Sequence, residues 1–282
     1  MRKAERRMEA EFGEGPAGVP FDLAGQLTDR LPYGKVSLVC GARYSGEEMF
    51  LRSVLAGVIA GRKSRAAVLL PNAYLPHFVF RIQCAMAGVD TNRVTQGMAP
   101  KESWAALKKA GELIASSKVV FARATRLSAE VIDSRVRLLA AEASAEGHKL
   151  ELVIVHSLDA LRPDHPDEGP GDAVGWMAQC AEETGAAFLC SWRAPDKKLV
   201  DDDFSLADLR RHGFNEERLG PVFWLFSGAD GDYGTTHCLK AWDPSAPFDM
   251  SQELIRDPDR CCFKPNLMTL PPIVRVSRSK AK

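Results

Sequence analysis

Short apolar runs alternate with longer segments of mixed polarity along most of this chain. The apolar runs lie at residues 36–40, 66–70, 119–122, 150–155 and 186–191. Because each run is short and almost continuously apolar, it predicts a strand that is buried on both faces. The segments between and after them have the spacing of amphipathic helices, at residues 47–60, 76–87, 101–115, 128–147 and 172–184.

Strands that alternate with helices in this way predict an α/β domain with a mainly parallel sheet covered on both faces. Two later runs, at residues 222–226 and 236–242, predict further strands. We expect a charged N-terminal segment over residues 1–20, one domain over residues 21–245 and an irregular, Pro-rich extension over residues 246–282.

Composition and charge exclude several classes of protein. The chain has 282 residues, with 37 basic and 37 acidic side chains, so a globally basic nucleic-acid binder is not expected. An apolar fraction of 45% excludes disorder for most of the chain. No apolar run reaches the roughly 18 residues of a membrane span, and the N-terminus has no apolar core of a secretory signal.

The cysteines and histidines do not have the spacing of a metal site. Seven cysteines form no CxxC pair, and six histidines form no HxxxH or HExxH pattern. We therefore expect no metal and a reduced, cytoplasmic protein.

The loop after the first predicted strand has the glycine spacing of a phosphate-binding loop. Such a loop has the pattern G-x-x-x-x-G-K-[ST], and this chain reads GARYSGEE from residue 41 to residue 48. Its candidate residues, taken as the remains of a nucleotide site, are Gly41, Arg43, Ser45, Gly46, Glu47 and Glu48.

Two carboxylates stand where that loop needs a cation and a hydroxyl. A carboxylate about 4 Å from a phosphate charge is repelled by roughly 4 kcal/mol at an effective dielectric constant near 20. The same carboxylates suit the N-terminus of a helix, which they stabilise by about 0.3–1 kcal/mol each. Glu47 and Glu48 are therefore expected to favour the fold and to oppose an anionic ligand.

A series of segments in fixed order gives a family resemblance over residues 20–245. The segments are FDLAGQLTDRLPYGKVSLVCGARYSG, FVFRIQCAMAGVDTNRVTQG, LELVIVHSLDALR, GAAFLCSWRAP, SLADLRRHGFNEERLGPVFWLF and GTTHCLKAWDPSAPF. In order and spacing they resemble the C-terminal, RecA-like motor domain of DnaB-type replicative helicases. The resemblance implies a RecA-like P-loop NTPase fold with a mainly parallel central sheet, flanking helices and late antiparallel strands.

The catalytic positions of that family, carried over one at a time, are changed. The resemblance places the phosphate-binding Lys on Glu47, the magnesium-binding hydroxyl on Glu48 and the catalytic Glu near Asn72. It places the Walker B Asp on His156 and the sensor Gln on Trp192.

The basic finger of the family, which reaches the nucleotide of the neighbouring subunit, falls on residues 227–229, which carry no charge. These departures predict a retained fold without an ATPase, no catalytic residues and no cofactor. We expect a pseudo-ATPase that acts by binding a protein, such as a helicase or another subunit of a complex, in DNA replication or its regulation. Two alternatives stay open, namely a RecA-like scaffold outside DNA metabolism and an NTPase that uses Arg43 or another base for the phosphates.

The loop that faces the ring centre in the helicase family corresponds to a short basic stretch here. Arg193, Lys197 and Lys198 are the candidate nucleic-acid contacts, but three aspartates at residues 201–203 follow them. A solvated loop is favoured over a grip on DNA. Without a nucleotide or a finger to bridge neighbours, we expect a monomer or a small oligomer, not a stable hexamer.

Overall fold

The computed structural model describes residues 17–23, 27–42, 45–61, 65–71, 74–124, 127–165, 167–195, 204–227, 236–242, 248–257, 262–265 and 275–276. Its strands are β1 (Gly18–Leu23), β2 (Leu27–Pro32), β3 (Val36–Gly41), β4 (Arg65–Pro71), β5 (Val119–Ala124), β6 (Leu150–Val155), β7 (Ala187–Arg193), β8 (Leu219–Ser227), β9 (Thr236–Trp242), β10 (Phe248–Asp257), β11 (Cys262–Pro265) and β12 (Arg275–Val276). Its α-helices are α1 (Glu47–Gly61), α2 (Leu75–Ala87), α3 (Thr91–Thr95), α4 (Lys101–Ala115), α5 (Ala129–Ala145), α6 (Pro170–Thr184) and α7 (Leu206–Arg211). Two 3₁₀ turns span Leu158–Ala160 and Glu216–Arg218.

The main sheet has the strand order β11-β10-β9-β8-β3-β7-β6-β4-β5, and β12 pairs with β10. The six strands from β8 to β5 in this order run parallel, whereas β9, β10 and β11 pair antiparallel at the other end. This arrangement confirms the predicted fold class, a mainly parallel sheet flanked by helices with late antiparallel strands.

The parallel strands are mostly apolar because helices cover both faces of the sheet. One apolar cluster joins the sheet to α5 and α6 and includes Val153 and Phe188. A second joins it to α1 and α2 and includes Ile154 and Leu189. Neighbouring residues of a strand thus enter opposite layers of the core, as the pleat requires. Full burial of one such side chain contributes about 1.5–3 kcal/mol.

Local signals set several of the helix ends. The hydroxyl of Ser128 accepts a hydrogen bond from the backbone N–H of Val131 at 3.4 Å, so α5 starts after the predicted cap. Gly88 and Gly185 end α2 and α6 in the left-handed conformation that glycine adopts without strain.

Two expectations about the ends of the domain differ from the structure. The prediction of an irregular chain after residue 245 is wrong for residues 248–257, which form β10 against β9 from Asp249–Trp242 to Ile255–Thr236. Likewise, the chain is already ordered at Gly18, three residues before the predicted domain start, because β1 pairs antiparallel with β2. Most of the predicted N-terminal segment, residues 1–16, lies outside the described residues.

Candidate functional site

The glycine-containing loop lies at the centre of the carboxyl edge of the parallel strands. Strand β3 ends at Gly41 and α1 begins at Glu47, and β3 lies between its parallel neighbours β7 and β8. In α/β sheets, ligands bind beyond this edge of the strands. The strand, loop and helix thus occupy the place of a phosphate-binding loop.

Both glycines of the loop are required by its geometry. A Cβ on Gly41 would lie 1.7 Å from the Oγ of Ser45, because Ser45 folds back over the end of β3. Gly46 has a φ of 99°, and a Cβ there would lie 3.2 Å from the Cζ of Phe263 on β11. The contact with Phe263 had no signal in the sequence, since β11 was not predicted.

Glu47, at the predicted position of the phosphate-binding lysine, is buried and bound to groups of the chain itself. The residue is 5% exposed at the N-terminus of α1. Its carboxylate accepts a hydrogen bond from the Ser45 hydroxyl at 3.1 Å. Its other oxygen lies 3.3 Å from Nη2 of Arg193, at the end of β7. The negative charge of the Glu47 carboxylate is therefore compensated by the guanidinium of Arg193.

Arg193 is held between two carboxylates. Besides Glu47, its guanidinium lies 3.8 Å from the carboxylate of Asp159, which also accepts the Arg193 backbone N–H at 3.1 Å. The guanidinium is thus turned toward the loop, although 42% of the side chain is exposed. Lys197 and Lys198, predicted with Arg193 as nucleic-acid contacts, lie outside the described residues.

Glu48, at the predicted position of the magnesium-binding hydroxyl, joins α1 to α2. Its carboxylate pairs with Arg52 one turn along α1 and lies 3.6 Å from Arg81 of α2. The Arg52 side chain is buried, so this carboxylate compensates a charge inside the protein. Glu48 has a structural role that the spacing alone does not reveal.

His156, at the predicted Walker B position, follows directly after β6 and packs as a neutral ring. Its Nδ1 shares a hydrogen bond of 2.7 Å with the hydroxyl of buried Ser191. Its imidazole stacks on Phe78 and meets Tyr74 edge-on, with ring centres 6.3 and 6.5 Å apart. Burial lowers the pKa of His156, although the carboxylates of Glu48, Glu47 and Asp159 act in the opposite direction.

Trp192, at the predicted sensor position, faces away from the loop. It is 2% exposed and belongs to the apolar cluster beneath α5 and α6. His212 and Phe214 contact it edge-on, each with ring centres 4.9 Å away. Because side chains alternate along β7, its neighbour Arg193 reaches the loop instead. Strand alternation is the signal that points to Arg193, while Arg43 and Asn72 lie outside the described residues.

A cavity of about 300 Å³ lies beside the loop, at the carboxyl ends of β6 and β7. Leu158, Pro163, Pro170, Trp192 and Pro195 form much of its wall, and Asp159 and Arg193 lie at the side that borders the loop. Across the described ranges, no group of three or more His, Cys, Asp or Glu side chains is arranged to hold a metal ion. None of the helices that the structure describes is long and apolar enough to cross a membrane.

The solved structures with a similar fold include a DnaB-like helicase and an ATPase domain. A DnaB-like replicative helicase, described with its interactions with primase, matches with a TM-score of 0.75 and 14% identity. The match covers 93% of this chain and 65% of the helicase chain, so this chain spans under two thirds of its length. A second solved structure, an isolated ATPase domain, matches with a TM-score of 0.74 and 13% identity over 94% of this chain and 96% of that domain.

No family model matches the chain, and no curated protein matches it. At these identities the structural likeness defines the fold alone. The chain has the RecA-like fold of DnaB-type ATPase domains.

Proposed function

We propose that this chain is a non-catalytic counterpart of the DnaB-type ATPase domain and acts by binding a protein partner. The observation that carries the proposal is the buried Glu47 carboxylate at the position of the phosphate-binding lysine, paired with Arg193 at 3.3 Å. Where a phosphate-binding loop carries a lysine that is free to contact phosphate, this loop carries a carboxylate that is already paired with an arginine of the same chain.

This ion pair opposes nucleotide in two ways. A phosphate seated on the loop would lie close to the Glu47 carboxylate, at a cost of roughly 4 kcal/mol for charges about 4 Å apart, or about a thousandfold in affinity. Drawing Arg193 toward the phosphate instead would leave Glu47 buried without its cation, which is also unfavourable.

The other cations near the loop are engaged as well, which weighs against an NTPase with a rearranged site. Arg52 and Arg81 both lie against Glu48. An anion would have to separate these pairs before it gained a contact of its own. Among the residues that the structure describes around the loop, the arginines are paired with carboxylates of the chain itself.

The arrangement also does not favour hydrolysis. A Walker B aspartate orients the magnesium ion through its charge, whereas a neutral imidazole bonded to Ser191 supplies none. Asp159 lies nearby, but its carboxylate already accepts the backbone N–H of Arg193. Its other oxygen lies 3.8 Å from the Arg193 guanidinium, so the carboxylate faces Arg193 on both counts.

A fold kept without its chemistry favours a binding role. The core is continuous on both faces of the sheet, so the replaced site residues have not cost the domain its packing. We propose a protein partner from DNA replication or its regulation, such as a helicase or another subunit of a replication complex. The support for this class is the likeness in fold to a DnaB-like replicative helicase that is described with its interactions with primase.

Thermal unfolding with and without MgATP tests the nucleotide part of the proposal. A site with a Kd of about 10 μM would be stabilised by about 2.7 kcal/mol at about 1 mM nucleotide, which is a plain rise in Tm. We expect no rise for the wild-type chain. The Glu47→Gln/Glu48→Gln variant is the matched control, since it removes the two charges without supplying a lysine. A saturable rise in wild-type Tm would establish a nucleotide site and overturn the proposal.

Affinity capture with the full chain, followed by mass spectrometry, tests the partner. We expect replication proteins to be enriched over capture with an unrelated bait. Reproducible enrichment of a complex outside DNA metabolism would instead support the alternative RecA-like scaffold.

A further inference from the structure

Strand β5 forms one end of the main sheet, and its outer side has no partner strand within the described residues. It pairs with β4 alone, without a bulge, in register from Ala66–Val119 to Pro71–Ala124. An unpaired strand edge presents a row of backbone N–H and C=O groups that another extended chain can bind.

The register with β4 shows which backbone groups of β5 face outward. The N–H of Ala66 on β4 donates to the C=O of Lys118 at 3.2 Å, so the carbonyl of Lys118 points toward β4. Because backbone groups alternate in direction from one residue of a strand to the next, those of Val120 and Ala122 also point toward β4. The residues whose backbone groups point away from β4 are Val119, Phe121 and Arg123.

The outward groups at the middle of the strand are unpaired. The N–H and C=O of Phe121 have no backbone partner among the residues that the structure describes. At the start of the strand, the N–H of Val119 donates to the hydroxyl of Ser117 at 3.4 Å in place of a strand. A row of such groups is complementary to an extended peptide, which is the chain conformation that can pair with all of them at once.

Apolar side chains flank this open edge on both faces of the sheet. Val119 and Phe121 are partly buried against the cluster beneath α1 and α2. Val120 lies on the opposite face and is 39% exposed, because α5 packs over β6 and β4 rather than over β5. A strand added to β5 would therefore cover apolar surface on both of its faces.

The opposite end of the sheet differs, since it carries the usual protection of an edge. Strand β11 has only four residues, which include Lys264 and Pro265. Short length, lysine and proline each discourage further pairing at an edge. Strand β5 has six residues and contains neither lysine nor proline. Of these two ends, β5 has the properties of a strand that accepts a partner.

Charge favours a partner other than a second copy of this chain. Two cationic residues, Lys118 and Arg123, bracket the apolar run of β5 in the sequence. A second β5 laid antiparallel would bring the cations of both copies near each other at each end, which disfavours self-pairing. Acidic residues at both ends of an added segment would instead compensate these charges.

We propose that the open side of β5 binds an extended apolar segment of a partner protein as an additional strand of the main sheet. The backbone of this segment pairs with the outward groups of β5, and acidic residues at its ends compensate the charges of Lys118 and Arg123. The inference goes beyond the proposed function, because it assigns a surface and the chemistry of the segment that binds there. It does not depend on whether the loop binds nucleotide.

Binding of a labelled peptide to the full chain tests the proposal. The probe is fluorescein-labelled Glu-Glu-Val-Ile-Val-Val-Glu-Glu, followed by fluorescence anisotropy. We expect saturable binding with a dissociation constant below about 1 mM. The same peptide with lysines in place of the glutamates is expected to bind at least about threefold more weakly, because it repels the cations of β5.

N-methylation of the peptide separates backbone pairing from side-chain contact, with the wild-type protein in both arms. Methyl groups on the N–H of the central valines and isoleucine leave the side chains in place but remove the donors that would pair with β5. We expect the dissociation constant to rise at least about tenfold. Because the protein is unchanged, a folding defect cannot produce this result.

A pair of valine variants locates the binding surface on the protein. Val120→Asp places a carboxylate on the exposed apolar face of the edge, so we expect the dissociation constant of the acidic peptide to rise at least about tenfold. Val131→Asp is the matched control, because Val131 is also an exposed valine, 38% exposed, but lies on α5 away from the edge. We expect it to leave peptide binding unchanged.

Amide hydrogen exchange of the wild-type chain reads out the strand pairing itself. The outward N–H of Phe121 is expected to exchange at least about tenfold more slowly with saturating peptide, whereas the N–H of Val120 is held by β4 in both states. No peptide binding, equal binding of the N-methylated peptide, or protection confined to residues away from β5 would each overturn the proposal. So would protection of Phe121 that rises with protein concentration alone, because it would show that β5 pairs with a second copy.

Discussion

The guanidinium of Arg193 lies 3.3 Å from the buried carboxylate of Glu47, across the loop that in nucleotide-binding relatives of this fold surrounds phosphate. The two residues are 146 positions apart in sequence. Glu47 begins α1 and Arg193 ends β7, so the ion pair ties the loop to the neighbouring strand of the sheet. It gives the loop a fixed charge partner without a ligand.

Arg193→Ala is expected to destabilise the protein because Glu47 would stay buried without its cation. We expect a loss of about 1–2 kcal/mol in the free energy of unfolding, since Glu47 is buried but solvent screens Arg193. Urea unfolding measures it. Arg162→Ala is the control, because the exposed Arg162 side chain forms no ion pair with the other residues that the structure describes.

A double-mutant cycle measures the contribution of the ion pair between Glu47 and Arg193 separately. In a Glu47→Gln protein, Arg193→Ala should cost clearly less than in the wild type, because the charge it compensates is gone. Equal costs in both backgrounds would mean that Arg193 acts through other contacts.

Glu47→Lys/Glu48→Thr restores the consensus of the phosphate loop but is not expected to restore ATPase activity. His156 and Trp192 remain at the positions that the resemblance gives to the Walker B Asp and the sensor Gln, and position 72 remains Asn. The new lysine would also face Arg193, so we expect a lower Tm than for the wild type. Phosphate release with MgATP is the measurement. Magnesium-dependent release above that of the Glu47→Gln/Glu48→Gln variant would contradict the expectation.

Much of the parallel sheet could be predicted because its strands are buried on both faces. The runs that predicted β3, β6 and β9 match the observed strands to within a residue. Strand β10 (Phe248–Asp257) was missed because FDMSQELIRD is not an apolar run. Its register is set by pairing with β9, a tertiary interaction that no local pattern reports.

The candidate site could likewise be predicted only in part from the sequence. The spacing of Gly41, Gly46 and Glu47 located the loop correctly on its strand and helix. The contacts of the loop with Arg193 and Phe263 could not be read from spacing, because both residues are far from the loop in the sequence. The pleat of β7 decides that Arg193, rather than Trp192, faces the loop, and a shift by one residue reverses that choice.

His156 is expected to make stability depend on pH. Its pKa is lowered in the folded protein by burial, whereas in the unfolded chain it lies near about 6.5. Above that pH both states hold a neutral ring, so its contribution is fully present. As pH falls below about 6.5, the unfolded chain takes up a proton first, and stability declines until the pH passes the folded pKa.

His156→Gln should therefore flatten the change in unfolding free energy between about pH 7.5 and about pH 5.5. Because the variant also loses ring contacts with Phe78 and Tyr74, the slope against pH is the readout and not the absolute stability. His77→Gln, an exposed position on α2, serves as the control. An unchanged slope in the His156 variant would show that the ring does not remain neutral on folding.

Gly46→Ala is expected to destabilise the loop through its backbone. A side chain at a φ of 99° is strained by about 1–3 kcal/mol, and the new Cβ would lie 3.2 Å from the Phe263 ring. Gly57→Ala is a matched control, because Gly57 lies inside α1 with nothing within 4 Å of its would-be Cβ. There the same substitution should stabilise by about 0.5–1 kcal/mol.

A Phe263→Leu background separates the two contributions to the cost of Gly46→Ala, which are backbone strain and the contact with the Phe263 ring. Leucine removes the ring from above the loop, so any steric part of the Gly46→Ala cost should fall while the backbone part remains. Urea unfolding of the four proteins of this cycle gives both parts. If Gly46→Ala were as stable as the wild type, the loop would not hold the observed conformation, and the contact between β11 and the start of α1 would have no structural role.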